Sequence, residues 1–224
     1  MKKTLVLLAI FCATFVGAQH VVELHTGINF SNARISGINE QILPSSDFIN
    51  HVPVGVAYEY AVTKNLSART ELNYLRRGFE IRQNFNIPIG SFDLPVGASA
   101  ITRINYLEIP LMLKYYFTES NIRPYVYGGP SVSYGLNGTI QERAHLLIDF
   151  NVATQNINLD NNNFNRWEAG ARAGAGISFK TPIGIVSFEG QYYHSLTDFF
   201  DQPIVDIHAH SYQLGFQVGL AYSF

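Results

Sequence analysis

The chain has 224 residues, a formal charge of −2 and only 14% charged side chains, well under the roughly 25% of an average soluble domain. This near-neutral balance offers no basic surface for nucleic acid, and the length suits one domain. The sequence holds 16 Phe, 13 Tyr and 18 Gly, yet past its first residues no apolar run approaches the roughly 20 residues of a spanning helix. Its apolar surface must be hidden in another way, and a closed barrel is the obvious candidate, because only helices and closed barrels satisfy every backbone group in lipid.

Residues 1–18 read as a secretory signal peptide. Lys2 and Lys3 supply a positive start, Leu5 to Val16 a short apolar stretch, and Gly17-Ala18 the small residues a signal peptidase needs. A membrane anchor is the competing reading, but the stretch is too short to span. Cleavage after Ala18 leaves Gln19 first, with 19–224 as the barrel domain. It also removes Cys12, the single cysteine, whose place and neighbours do not suit lipid acylation. No disulfide or cysteine metal site is then expected.

Alternation at period two, the mark of opposite strand faces, follows along the rest of the chain. The first strand sets Val22, Leu24, Thr26, Ile28 and Phe30 against Glu23, His25, Gly27 and Asn29. The second sets Val54, Val56, Tyr58, Tyr60 and Val62 against Gly55, Ala57, Glu59 and Ala61. The third sets Leu66, Ala68, Thr70, Leu72 and Tyr74 against Ser67, Arg69, Glu71 and Asn73. The fourth runs from Leu107 to Phe117, with Glu108, Pro110, Met112, Lys114 and Tyr116 on its second face. A fifth, weaker strand covers Tyr125 to Leu136, where Pro130 marks a bulge or a break. The sixth alternates from Trp167 to Phe179, with Glu168 and Arg172 on its polar face, and the seventh sets Val186, Phe188, Gly190 and Tyr192 against Glu189, Gln191 and Tyr193. The eighth is the clearest: Tyr212, Leu214, Phe216, Val218, Leu220, Tyr222 and Phe224 are all apolar or aromatic, and every residue between them is small or polar. Its length suits a tilted membrane crossing, and its terminal aromatics suit interfacial girdles.

The connections alternate too. Residues 63–65, 118–122 and 180–184 are tight links rich in turn formers, whereas 31–52, 76–103, 137–166 and 196–209 are long. Within the second long one, Phe85, Ile87, Ile89, Phe92 and Leu94 can extend a hairpin above the membrane. Together these features predict an all-β fold: an eight-stranded antiparallel transmembrane β-barrel with short periplasmic turns and long extracellular loops, in the outer membrane of a Gram-negative bacterium. A soluble eight-stranded binder is the competing reading, and it would carry its apolar face inside.

Sorting by face places Glu59, Arg69, Glu71, Glu108, Lys114, Glu168, Arg172 and Glu189 in the lumen. A structural salt-bridge core is the first reading of this set, because an isolated buried charge is costly. A proton or ion path is the second, and it would use the room left by inward Gly and Ala. His194-Ser195 with Asp198 suggests a rim enzyme acting on lipid, although adjacent strand residues diverge. Asp206, His208 and His210 share one face of an extended segment and form a weak metal candidate, which Asp201 would complete. The Asp160 to Asn163 run lacks the spacing of a calcium loop. Arg76 and Arg77 lie where lipopolysaccharide phosphates or simple interfacial anchoring would hold them. No residue pattern calls for a cofactor.

The segment Asn105 to Phe117, reading NYLEIPLMLKYYF, resembles the signature strand of the PorT-like outer-membrane barrel family of Bacteroidetes. Arg123 to Pro130, Gly174-Ala175-Gly176 and the Tyr222-Ser223-Phe224 end are similar to that family as well. The resemblance implies an OmpX- and OmpA-like eight-stranded barrel, recognition of Tyr222 and Phe224 by the barrel-assembly machinery, and a link to type IX secretion. It carries no catalytic residue. The function expected is non-enzymatic: a surface-exposed anchor or interaction protein whose partners are outer-membrane lipid and lipopolysaccharide, the barrel-assembly machinery and secretion-apparatus proteins. A narrow porin-like pore for ions or small solutes is the alternative, and a lipid-modifying rim enzyme comes third.

Overall fold

A computed structural model describes residues 20–36, 45–89, 92–145, 149–159, 165–197 and 208–224. The signal peptide with Cys12, the Asp160 to Asn163 run, and Asp198, Asp201 and Asp206 lie outside these residues. The strands are β1 (His20–Ser36), β2 (Ser45–Asp47), β3 (Ile49–His51), β4 (Val54–Ala61), β5 (Leu66–Ile89), β6 (Phe92–Tyr116), β7 (Ile122–His145), β8 (Asp149–Ile157), β9 (Trp167–Thr181), β10 (Gly184–Ser195) and β11 (His208–Ser223). Eight of them, β1, β4, β5, β6, β7, β9, β10 and β11, pair antiparallel around a ring that β11 closes on β1. β3 pairs with β1, β2 with β5 and β8 with β7, all at the end of the ring opposite the short turns.

The sorting of side chains is inverted relative to a soluble protein. On β6, Leu111 is 62% exposed and Leu113 60%, whereas Glu108 is 0% exposed and Lys114 2%. Such an apolar belt costs little facing lipid and would be unfavourable facing water. This pattern overturns the soluble-binder reading. Among the described residues no helix is long and apolar enough to cross a membrane.

Three of the connections read as long loops are partly continued strand. The β5–β6 hairpin stays paired out to Ile89 and Phe92, with Phe85 opposite Val96 and Ile87 opposite Leu94. β1 runs on to Ser36 beside β11, and β7 to His145 beside β6 and β8. A crossing needs only about 9–11 residues, so these strands stand well clear of the bilayer. The pairing continues because the period-two alternation does not stop where the membrane does.

Pro130 neither breaks β7 nor marks a bulge in it. β7 stays in register with β9 through Pro130, which lies opposite Ala171. Against β6 the register is the same on both sides, Pro110 opposite Ser131 and Leu113 opposite Gly128. What happens there is a close approach: a Cβ on Gly129 would lie 2.0 Å from the Leu111 carbonyl oxygen. The register shift of β7 against β6 lies further out, between Asn105 and Tyr106, where Leu136 is the extra residue. Gly184, at φ 137°, closes the tight β9–β10 turn.

Replacement at Gly129 should therefore be far more damaging than at Gly190, where a new Cβ meets nothing nearer than 3.8 Å. In refolded samples run on unheated gels, Gly129→Val is expected to lose most of the compact folded band and Gly190→Ala to keep it. Equal folding of the two would remove the close approach as a requirement.

Candidate functional site

The lumen concentrates charge, and the strand faces deliver it there. All eight charged residues assigned inward, Glu59, Arg69, Glu71, Glu108, Lys114, Glu168, Arg172 and Glu189, are buried inside the ring. Glu23, His25 and Arg77 join them. Glu23 and His25 sit on the polar face of β1. Arg77 was placed at the rim beside Arg76, but parity carries it inward from Arg69, Glu71, Asn73 and Leu75, and it is 0% exposed. The alternation held the signal for this, since residues an even number apart share a face.

The side chains stack in tiers from the short-turn end. A vestibule of about 230 Å³ opens among the turns, bordered by Thr63, Lys64, Glu119, Arg123 and Lys180. Its inner end is sealed by Glu59, which accepts from Lys114 Nζ at 3.1 Å and from the Tyr116 hydroxyl at 2.8 Å. Lys114 Nζ also lies 3.9 Å from the centre of the Tyr125 ring. Above it Arg69 donates from Nη2 to Glu23 at 2.6 Å and from Nε to Glu71 at 2.7 Å, with Glu189 at 3.5 Å from Nη1. Ser187 donates to Glu23, Asn73 to Glu71 and Tyr125 to Glu189. His25 Nε2 meets Asn73 Oδ1 at 2.7 Å.

The next tier centres on Glu108. Arg172 Nη2 donates to both of its oxygens at 2.8 Å, and Arg77 Nη2 donates to one of them. The Arg77 guanidinium lies 3.7 Å over the Tyr193 ring, and the Tyr193 hydroxyl donates to Glu168 at 2.9 Å. Arg172 Nη1 donates to Gln191 and sits 3.7 Å from Glu71, which joins the two charged tiers. Outermost comes an apolar plug of Ala33, Leu75, Phe79, Ile104, Tyr106 and Leu159, with Ile81 and Ile157 packed on it.

The inward glycines do not leave open room. On β9 a Cβ at Gly170 would meet the Tyr193 ring at 2.3–2.5 Å, one at Gly174 the Tyr127 ring at 2.4 Å, and one at Gly176 the Tyr125 ring at 2.6 Å. Tyrosines from β7 and β10 occupy the space, which is why both residue types are frequent.

Of the other candidate positions, the structure describes the side chains of His194, Ser195 and His210. His194 points outward, stacked against Tyr192 and His210, whereas Ser195 is buried and donates to the Thr197 carbonyl. His210 is half-buried at the outer end of β11, and no group of three metal-ligating residues occurs among the described residues. Tyr222 and Phe224 are both exposed at the short-turn rim, where the Phe224 backbone exchanges hydrogen bonds of 2.9 and 3.1 Å with His20.

Residues 18–201 match the family described as the outer membrane protein beta-barrel domain. The chain belongs to that family. It is a protein of the outer membrane of a Gram-negative bacterium, and its ring of eight antiparallel strands is the fold of that family. Among solved structures, this outer-membrane barrel is similar to Neisserial surface protein A at 15% identity, covering 91% of this chain and 98% of that one, with a TM-score of 0.42. It is similar to OprG from Pseudomonas aeruginosa at 12% identity over 93% and 96%, TM-score 0.47. The Yersinia pestis attachment protein Ail aligns at 10% identity over 90% and 98%, TM-score 0.40. No curated protein sequence matches the chain.

Glu108 holds two buried guanidiniums, so its loss should be costly. Breaking one partner of a buried pair costs about 3–5 kcal/mol. Glu108→Gln should lower the urea midpoint of unfolding from lipid vesicles by a corresponding amount, while Val126→Ala on the lipid face moves it little. Equal shifts would mean that the charge pairing does not hold the wall together.

Proposed function

We propose that this barrel is a closed, non-enzymatic outer-membrane anchor that works through surfaces outside its lumen, as an interaction protein rather than a pore. The observation that supports it most is the filling of the interior: Arg77, Glu108 and Ser133 are each 0% exposed, with an apolar plug beyond them. A water column past these groups would have to separate Glu108 from both of its guanidiniums in a low-dielectric interior, which is expensive. An eight-stranded ring is in any case only just wide enough for its own side chains. A rim enzyme would need a nucleophile and base in contact, and His194 and Ser195 lie on opposite faces of β10.

In this reading the continued strands at the outer end, with β2, β3 and β8, carry the recognition surface. Exposed Tyr222 and Phe224 present an aromatic end to the barrel-assembly machinery, and the type IX secretion link rests on the resemblance of residues 105–117 to the PorT-like strand. Planar-bilayer recording tests the closed lumen. The expected outcome is no unitary conductance steps from purified protein at moderate voltage, and a reproducible ohmic conductance would replace the anchor with the porin-like alternative. Cross-linking in intact cells, followed by identification of captured proteins, tests the partner. Repeated recovery of secretion-apparatus components is expected, and recovery of the barrel alone would remove the secretion link.

A further inference from the structure

A second cationic cluster lies on the outer face of the same wall. Arg76 of β5 shares its face with lipid-facing Tyr74, and Arg103 of β6 shares its face with lipid-facing Leu107. The register sets Arg76 opposite Asn105, Arg103 opposite Thr139 and Arg143 opposite Ser99. Three adjacent strands thus bring three half-buried guanidiniums together just beyond the apolar belt.

The polar groups these arginines reach are neutral. Arg103 Nη1 donates to Gln141 Oε1 at 2.6 Å, and Arg143 Nη2 reaches the same oxygen at 3.4 Å, so two guanidiniums converge on one amide. Arg76 Nε donates to Asn105 Oδ1 at 2.9 Å, and the Asn105 amide in turn donates to Asn137 Oδ1. None of the three arginines forms an ion pair with a carboxylate among the described residues. Of the nearby carboxylates, Asp47 and Glu80 pair with Arg82, and Glu80 also lies within electrostatic reach of Arg103 and Arg143. Nε of Arg143 is buried without a hydrogen-bond partner. Burial, followed by the charges of Arg143 and Arg76, pulls Arg103 below the usual guanidinium range against a smaller opposing pull from Glu80. Burial and then Arg76 depress neighbouring His51 to about 4, so its imidazole stays neutral at ordinary pH.

We propose that this β5–β7 wall binds the phosphate groups of an anionic glycolipid headgroup of the outer leaflet, that of lipid A in lipopolysaccharide. Three crowded guanidiniums whose hydrogen bonds go to neutral acceptors, with Glu80 shared between Arg103, Arg143 and Arg82, carry more positive than negative charge, and their planar forks match phosphate oxygens. Their height decides between a lipid and a free anion. A lipid whose chains lie against the belt around Tyr74 and Leu107 carries its phosphates to the level of Arg76 and Arg103. The inference rests on the outer-membrane location and not on the closed lumen, so conductance by the barrel would leave it standing.

The test uses the whole protein folded in a neutral detergent. It is titrated with bis-phosphorylated lipid A, with the same lipid stripped of its phosphates, and with inorganic phosphate, and adducts are counted by native mass spectrometry. Phosphorylated lipid A is expected to half-saturate at a concentration about tenfold or more below that of the stripped lipid. The double change Arg103→Gln with Arg143→Gln should abolish that preference, whereas Arg34→Gln at the exposed end of β1 should keep it. If the double glutamine variant fails to fold, Arg103→Lys with Arg143→Lys should retain part of the preference, and added salt should weaken it in the unaltered protein. Equal binding of the two lipids would overturn the proposal, as would a preference untouched by salt. Displacement of the lipid by inorganic phosphate at equal concentration would do the same, because it would mark a free-anion site.

Discussion

The structure depends on one requirement: inside a bilayer every backbone N–H and C=O must find a partner within the protein. An open sheet with the sequence of β1 to β11 would leave two edges of unpaired groups in hydrocarbon. Pairing β11 with β1 over sixteen residue pairs, from Val21 with Ser223 to Ser36 with His208, removes both edges. Closure then fixes an inside and an outside. The period-two alternation of each strand is converted into an apolar belt and a polar lumen with no further choice.

The lumen follows from that closure. It is too narrow for bulk water yet receives Glu23, Glu59, Glu71, Glu108, Glu168 and Glu189 together with Arg69, Arg77, Lys114 and Arg172. Such charges are tolerable only when each finds an opposite charge or donor, and here the pairs reach across the barrel: Glu23 on β1 to Arg69 on β5, Glu108 on β6 to Arg172 on β9, Glu189 on β10 to Tyr125 on β7. Several of these ions have more than one partner, Arg69 with Glu23, Glu71 and Glu189 and Glu108 with Arg77 and Arg172, so removing a shared member such as Glu108 disturbs more than one buried charge. The interior therefore serves as a cross-brace. The outer ends of the strands and the outer wall are where side chains face outward from the ring.

One strand thus carries two different arginine chemistries on its two faces. On β5, Arg69 and Arg77 point inward and are neutralised by carboxylates, whereas Arg76 points outward among amides. Adjacent residues of the same type, Arg76 and Arg77, end in opposite environments because the pleat turns successive side chains to opposite faces. The difference in their surroundings is one of charge: Arg77 is paired with Glu108, and Arg76 bonds to the neutral amide of Asn105.

Much of this was legible in the sequence. The alternation from Tyr212 to Phe224, the tight links at 63–65, 118–122 and 180–184, and the lack of any spanning helix determine an outward apolar face, the strand number and the end on which the short turns lie. They also place Glu108 and Arg172 in the interior, because period two is a local property of an extended chain. Three things were decided only by the closed ring. Pairing across the barrel joins residues such as Glu108 and Arg172, 64 positions apart, and strand periodicity does not encode which inward charges face each other. The fit of Tyr125, Tyr127 and Tyr193 over inward glycines depends on the register between neighbouring strands, as does the close approach of Gly129 to the Leu111 carbonyl, beside the proline that suggests a bulge or a break. The grouping of Arg76, Arg103 and Arg143 comes from three neighbouring strands whose registers set distant positions in steps along one wall. Local alternation determines which face a residue takes, whereas its neighbours on that face are set by hydrogen-bond register, a property of the assembled sheet.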